Sequence, residues 1–284
     1  MAKVALVTDS TSYIPKDVRE KFPITVVPQV VIWEGQTYED DVTITPEQFY
    51  TRLRTAKVMP STSQASVVNM HKAYSSLLEK GYDVLGIFLS AKLSGTFQSA
   101  VLGREQLTSG QDKVDFIDSE TTAMAMGFMV LHVARAAMEG ASLAECKRLA
   151  EASRAHVGVY LTVDTLEFLH RGGRIGGAQR FLGTALNLKP VLTVDGGRVE
   201  AVERVRTRGK ALDRVVELVV EKCNGKSPVR IATLHADSEP DAKIMLDKIT
   251  PLLNPVESVF AAVSPAVGAN TGPGTVGLAY MTDL

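Results

Sequence analysis

Two hydroxyl-rich segments carry the most legible chemistry of this chain: Pro60-Ser61-Thr62-Ser63-Gln64 and Ser90-Ala91-Lys92-Leu93-Ser94-Gly95-Thr96. Together they describe a neutral socket for an anionic head group, because alcohol side chains donate hydrogen bonds without carrying charge. The second segment directly follows the apolar run 84–89, and in open α/β sheets ligands collect outside the carboxyl ends of the strands. Ser and Thr stand there in place of an acid, a base or a metal ligand, so the pattern points to holding a ligand over transforming it. A second reading of Ser94-Gly95-Thr96 is a strand-to-helix turn, with Gly95 supplying backbone freedom and a hydroxyl capping the next helix. The first strand, 4–7, also ends in hydroxyls, in Thr8-Asp9-Ser10-Thr11-Ser12, where Asp9 reads as a helix cap.

Other chemistries find little support. Cys146 and Cys223 lack C-x-x-C spacing and read as reduced thiols in helical segments. His71, His132, His156, His170 and His235 never reach the spacing that places two metal ligands on one helical face, so no metal is expected. The chain has no G-x-x-x-x-G-K-[ST] loop, so neither ATP chemistry nor a cofactor is expected on it. With 45% hydrophobic residues and a net charge of -1, the average composition attracts neither nucleic acid nor a membrane surface. The apolar run 4–7 is too short for a signal segment and no run approaches the ~20 residues that span a bilayer. A cytoplasmic location with at most transient membrane contact is the expectation.

The elements that must position these residues alternate along the chain. Apolar runs at 4–7, 84–89 and 114–117 read as buried strands, and 26–33 as extended chain with a Gly turn and a return strand at 36–38. Helical spacing covers 46–53, 67–80, the nearly all-round apolar 123–138, and 142–155. Beyond these lie strands at 157–163, 191–194, 198–202, 229–234 and near Leu278, with helices at 166–170, 181–188, 212–223 and 241–252. At 284 residues the chain exceeds a usual single core. The expected class is α/β in two domains: an N-terminal doubly wound, mainly parallel sheet over 1–156 and a C-terminal α+β domain over 157–284.

Read together, Thr8-Asp9-Ser10, Thr62-Ser63-Gln64, Leu93-Ser94-Gly95-Thr96, Val163-Asp164-Thr165-Leu166, Arg171-Gly172-Gly173-Arg174-Ile175, Lys189-Pro190-Val191, Val205-Arg206-Thr207 and Gly272-Pro273-Gly274-Thr275 resemble the DegV family. Its members are the fatty-acid-binding subunits of bacterial fatty acid kinase. The resemblance implies one long-chain fatty acid enclosed between two domains, its carboxyl group held by Thr62 and Ser94, with Gly95 letting the backbone approach. It also implies a separate ATP-binding kinase subunit that phosphorylates the carboxylate to an acyl-phosphate. Arg206, from the V-R-T motif, and Arg174 then serve as partner or phosphate contacts. Where the family carries H-x-G-P-G, this chain reads Asn270-Thr271-Gly272-Pro273-Gly274; an amide still donates a hydrogen bond but exchanges no proton near neutral pH. The family's Pro after T-S-Q is Ala65, a change expected to alter loop stiffness but no donor.

About fifteen methylenes at ~0.8 kcal/mol each contribute on the order of 12 kcal/mol before binding costs, so the tail dominates affinity while Thr62 and Ser94 set direction and selectivity. Met124, Met126 and Met129 read either as the lining of an acyl tunnel or as plain core. The basic residues between Arg171 and Lys210 read either as a solvated face or as a docking surface for the ATP-bearing partner. Three alternatives stand beside the preferred reading. One is a lipid carrier without a kinase role, given Asn270. Another, a serine hydrolase using Ser94, lacks G-x-S-x-G and an adjacent base. A nucleic-acid binder using the basic stretch lacks aromatic interleaving.

Overall fold

The computed structural model describes residues 3–183 and 188–283. Along the first half run β1 (Lys3–Asp9), α1 (Lys16–Arg19), β2 (Ile24–Val27), β3 (Val30–Trp33), β4 (Gln36–Glu39), α2 (Pro46–Leu53), β5 (Ser61–Ser63), α3 (Val67–Glu79), β6 (Tyr82–Phe88), α4 (Thr96–Glu105), β7 (Val114–Asp118), α5 (Ala123–Met138) and α6 (Leu143–Ser153). The second half adds β8 (Val157–Thr162), α7 (Glu167–Arg171), β9 (Lys189–Asp195), β10 (Arg198–Val205), α8 (Arg208–Cys223), β11 (Val229–His235), α9 (Glu239–Leu253), β12 (Glu257–Ala262), α10 (Pro265–Thr271) and β13 (Val276–Thr282).

Three sheets result, in an α/β fold. Strands β2-β1-β6-β7 form a wholly parallel sheet. The chain leaves β1 toward β2 on one side and returns through β6 on the other, so the carboxyl ends of β1 and β6 flank a topological switch point. Asp9 fixes that point: its Oδ2 accepts from Leu89 N, just past β6, at 2.9 Å, and its Oδ1 accepts from Thr11 N at 3.0 Å. Its expected capping role is filled on the single 3-10 turn Ser10–Ser12. Strands β4-β3-β5 form a small antiparallel sheet, and β10-β9-β8-β13-β11-β12 a larger one, antiparallel except for the β11–β12 pair.

Local chemistry explains the helix starts. Thr45 and Gln48 close a capping box ahead of Pro46 on α2, and Ser142 and Glu145 do the same for α6. Helix α5 is apolar around most of its circumference because it packs on β1 and β6 of the parallel sheet and on β8, β11 and β13 of the larger one. Its residues join Leu6 and Leu85 on one side to Val159, Leu234 and Ala279 on the other in one core.

Several expectations are revised. The run 26–33 divides at Pro28-Gln29, giving β2 to the parallel sheet and β3 to the small one. Ser61–Ser63 is a short strand paired with β3 where a loop was expected. Strand β12 and helix α10 had no counterpart in the sequence reading. The helix expected over 181–188 falls in part on residues 184–187, outside the described residues; before them Gly176–Phe181 form a 3-10 turn. No described helix is long and apolar enough to cross a membrane.

Candidate head-group site

Thr62 reaches the site on β5, opposite Val31 of β3, while Ser94 lies in the turn between β6 and α4. The two segments touch: a Cβ added to Gly95 would come 2.7 Å from Gln64 Oε1. Gly95 itself has φ -74, an ordinary conformation for any residue. Its small size is therefore what the site uses, and the expected backbone freedom is not involved.

Between the segments stands Gln29, itself lining the cavity, whose Oε1 accepts from Ala65 N at 3.1 Å and from Thr96 Oγ1 at 3.0 Å. Ala65 N also lies 3.3 Å from Thr96 Oγ1. Ala65 thus contributes a backbone donor that proline lacks, which corrects the expectation that this exchange changes no donor. Thr96 has one hydroxyl hydrogen and gives it to an oxygen that can only accept. In the 2.9 Å contact between Ser94 Oγ and Thr96 Oγ1, Ser94 is therefore the donor. That hydrogen can move to a charged acceptor, which forms the stronger bond.

Helix α10 packs against β3 and β5 and brings Asn270 beside Thr62. Asn270 Nδ2 donates to Thr62 Oγ1 at 3.2 Å and to Ala266 O at 3.0 Å, which engages both amide hydrogens. Thr62 is held as an acceptor on that side, and its own hydroxyl hydrogen remains for a ligand. Asn270 acts here by orienting Thr62.

Gln29, Thr62, Ser94 and Asn270 open on one cavity between the parallel sheet and the larger sheet, whose space is about 1000 Å³ with its open mouth included, while Gly95 is not among its described lining residues. Thr62, Ser94, Asn270 and Arg174 line it together with apolar residues from both sheets, among them Leu89, Val159, Leu161, Val194 and Leu234. Arg174 is the one charged residue among the described lining residues, and its Nε donates to Leu93 O at 3.0 Å. A positive group beside neutral hydroxyls complements an anion. Met124, Met126 and Met129 are fully buried and none lines the cavity, so the core alternative holds for them.

Arg206 is exposed on the bend between β10 and α8 and does not line the cavity. Much of the basic stretch around it is engaged within the fold. Lys189 pairs with Asp164 at 2.9 Å, Arg208 with Asp241 at 2.8 Å, Arg180 donates to Ala201 O, and Arg204 lies over the Phe181 ring. Asp164 is thereby an ion-pair partner. Ser94 has Thr96 as its partner, and among the described lining residues none is a histidine or a carboxylate that could act as its base. Among the described residues no group of three or more His, Cys, Asp or Glu could hold a metal ion.

Two buried carboxylates support the site, and sequence reasoning missed Asp40. Burial raises the Asp9 carboxyl, with hydrogen bonds from Thr11 and Leu89 opposing the shift. Burial likewise pushes Asp40 up to about 6, against hydrogen bonds from Ser10 Oγ at 2.6 Å and Ala266 N at 3.0 Å. Asp40 thereby anchors the start of α10. Gln29 was missed as well; its one signal was an amide standing between Pro28 and the apolar run of β3.

The whole chain has relatives of the same architecture. Residues 3–283 match the family model described as "Uncharacterised protein, DegV family". A DegV domain-containing protein of Clostridium perfringens is 34% identical over 279 residues, covering 98% of each chain. The structure of a DegV family protein from Thermus thermophilus, described for its fatty acid binding, superposes with a TM-score of 0.93 at 36% identity, covering 99% of this chain and 100% of that one. DegV of Bacillus subtilis, described as a fatty acid binding protein, gives 0.90 at 32% identity with both chains covered in full. With this match along its length, the chain belongs to the DegV family.

Proposed function

We propose that this chain binds a long-chain fatty acid in the cavity between its sheets and presents the carboxylate to a separate ATP-dependent kinase subunit for acyl-phosphate formation. The observation that carries the binding half is the meeting of Thr62, Ser94, Asn270 and Arg174 at one apolar cavity. In this reading Thr62 and Ser94 each give a hydroxyl hydrogen to the carboxylate and Arg174 supplies positive charge. The apolar walls take the tail and provide most of the affinity. Relatives described as fatty acid binding proteins, at 36% and 32% identity, support the ligand class. Support for the kinase half is the family resemblance together with exposed Arg206, whose side chain is open to a docking partner.

The test is mass spectrometry of gently purified protein, then of the Thr62→Val/Ser94→Ala double variant. The wild type is expected to release one class of long-chain fatty acid and the variant to lose most of it. Equal lipid content in both, or an empty wild type that takes up no added fatty acid, overturns the reading. A lipid carrier without a kinase role is favoured by one observation: Asn270 spends both amide hydrogens on Thr62 and Ala266 and exchanges no proton.

A further inference from the structure

We propose that Gln29, at the cavity wall, is a positioning residue for the acid head group that sets the separation of Thr62 and Ser94; this rests on the fatty-acid reading above. Gln29 is 4% exposed and stands where the chain crosses from the parallel sheet to the small antiparallel one. Its backbone is pinned on both sides: the amide N donates to Ser10 Oγ at 3.0 Å, and the carbonyl accepts from Asp40 N at 3.0 Å. From that anchored position one oxygen, Oε1, accepts from both hydroxyl segments. Ala65 follows Thr62 by three residues, and Thr96 follows Ser94 by two.

The amide orientation is fixed by Ala65 N, which can only donate, so the oxygen faces it and Thr96 in turn donates to the same oxygen. Gln64 rests against Gly95, a second contact between the segments that limits how far they close. The two contacts hold the segments against both separation and collapse. Gln29 Nε2 meets no acceptor in hydrogen-bond geometry, although it lies near enough to Asp9 to favour that carboxylate slightly. The oxygen therefore carries the positioning role.

A carboxylate bound at two points needs its donors at a set distance. An acyl tail in an apolar cavity does not, because burial of apolar surface is non-directional. Gln29 should therefore affect recognition of the acid end and leave tail binding alone.

The experiment measures affinities of delipidated protein for palmitic acid and for cetyl alcohol, which has the same tail and no carboxylate. Gln29→Met keeps length and loses the acceptor. Ala65→Pro removes one of the two donors and leaves Gln29 in place. Gln29→Met is expected to lower palmitic acid affinity about tenfold with the alcohol unchanged, the loss of about one charge-assisted hydrogen bond. Ala65→Pro is expected to shift the ratio the same way by less. Because each acid-to-alcohol ratio is taken within one variant, a general loss of folded protein cancels. Equal weakening for both ligands, or an unchanged ratio in both variants, overturns the inference. If Thr62→Val/Ser94→Ala also leaves the ratio unchanged, the fatty-acid reading itself fails. If that double variant lowers the ratio and Gln29→Met does not, only the role of Gln29 fails.

Discussion

Asn270 donates to Thr62 Oγ1 at 3.2 Å across 208 positions of sequence, so the residue that orients Thr62 comes from a helix near the opposite end of the sequence. Asn270→Ala leaves Thr62 free to rotate and should weaken fatty acid binding about tenfold, measured by calorimetry. Asn270→Asp should weaken it further: a carboxylate accepts the Thr62 hydrogen and repels the ligand's own charge. Unchanged affinity in both variants would remove Asn270 from the site. Asn270→His restores a group that exchanges protons; more acyl-phosphate formed with the kinase subunit is the expected result.

Gly172 packs on the same amide. A Cβ at this position would fall on Asn270 Oδ1 and lie 3.2 Å from Phe168 O, while its φ of -72 suits any residue. Gly172→Ala should therefore displace Asn270 without straining the backbone. The expected outcome is several-fold weaker acid binding by calorimetry with little change in melting temperature. A large loss of thermal stability with intact binding would contradict this route.

Arg206 lies outside the cavity and exposed, unlike Arg174. Arg206→Ala should leave copurified lipid content equal to wild type and reduce acyl-phosphate formation with the kinase subunit. Loss of lipid from this variant would place Arg206 in ligand binding instead.

Asp40 makes stability depend on pH. Its carboxyl, pushed up to about 6 by burial, protonates more readily in the folded chain than in the unfolded one. The stabilising contribution is complete below the ordinary value of 3.8 and is lost as pH rises through about 6. A shift of roughly two units corresponds to on the order of 3 kcal/mol. Asp40→Asn does not titrate, so the unfolding free energy of wild type minus variant should fall by up to that amount between those two pH values. Denaturant titrations at each end measure it; a difference independent of pH would show that Asp40 is not so perturbed.

Much of this was legible from residue order because strands and helices announce themselves locally. The apolar runs of β1, β6 and β7 and the mostly apolar α5 follow from periodicity, and Thr62 and Ser94 stand beside recognisable turn chemistry. What escaped was set by contacts between distant segments. Ser61–Ser63 becomes a strand only because β3 offers it a partner, and three polar residues carry no strand signal of their own. Gln29, Ala65 and Thr96 form one hydrogen-bonded group whose three links span 36, 31 and 67 positions of sequence. Nothing in their separate neighbourhoods marks that meeting. The tunnel alternative for Met124, Met126 and Met129 fails for the same reason: a buried helix and a lipid-lining helix have identical composition.

Helix α5, gripped by both large sheets, has a mechanical consequence. The sheets share one continuous interior through it, and swinging them apart would expose that interior to water. Opening the cavity therefore costs least at the rim, where short hydroxyl-bearing segments are held by a handful of polar bonds, while the body of the molecule stays shut.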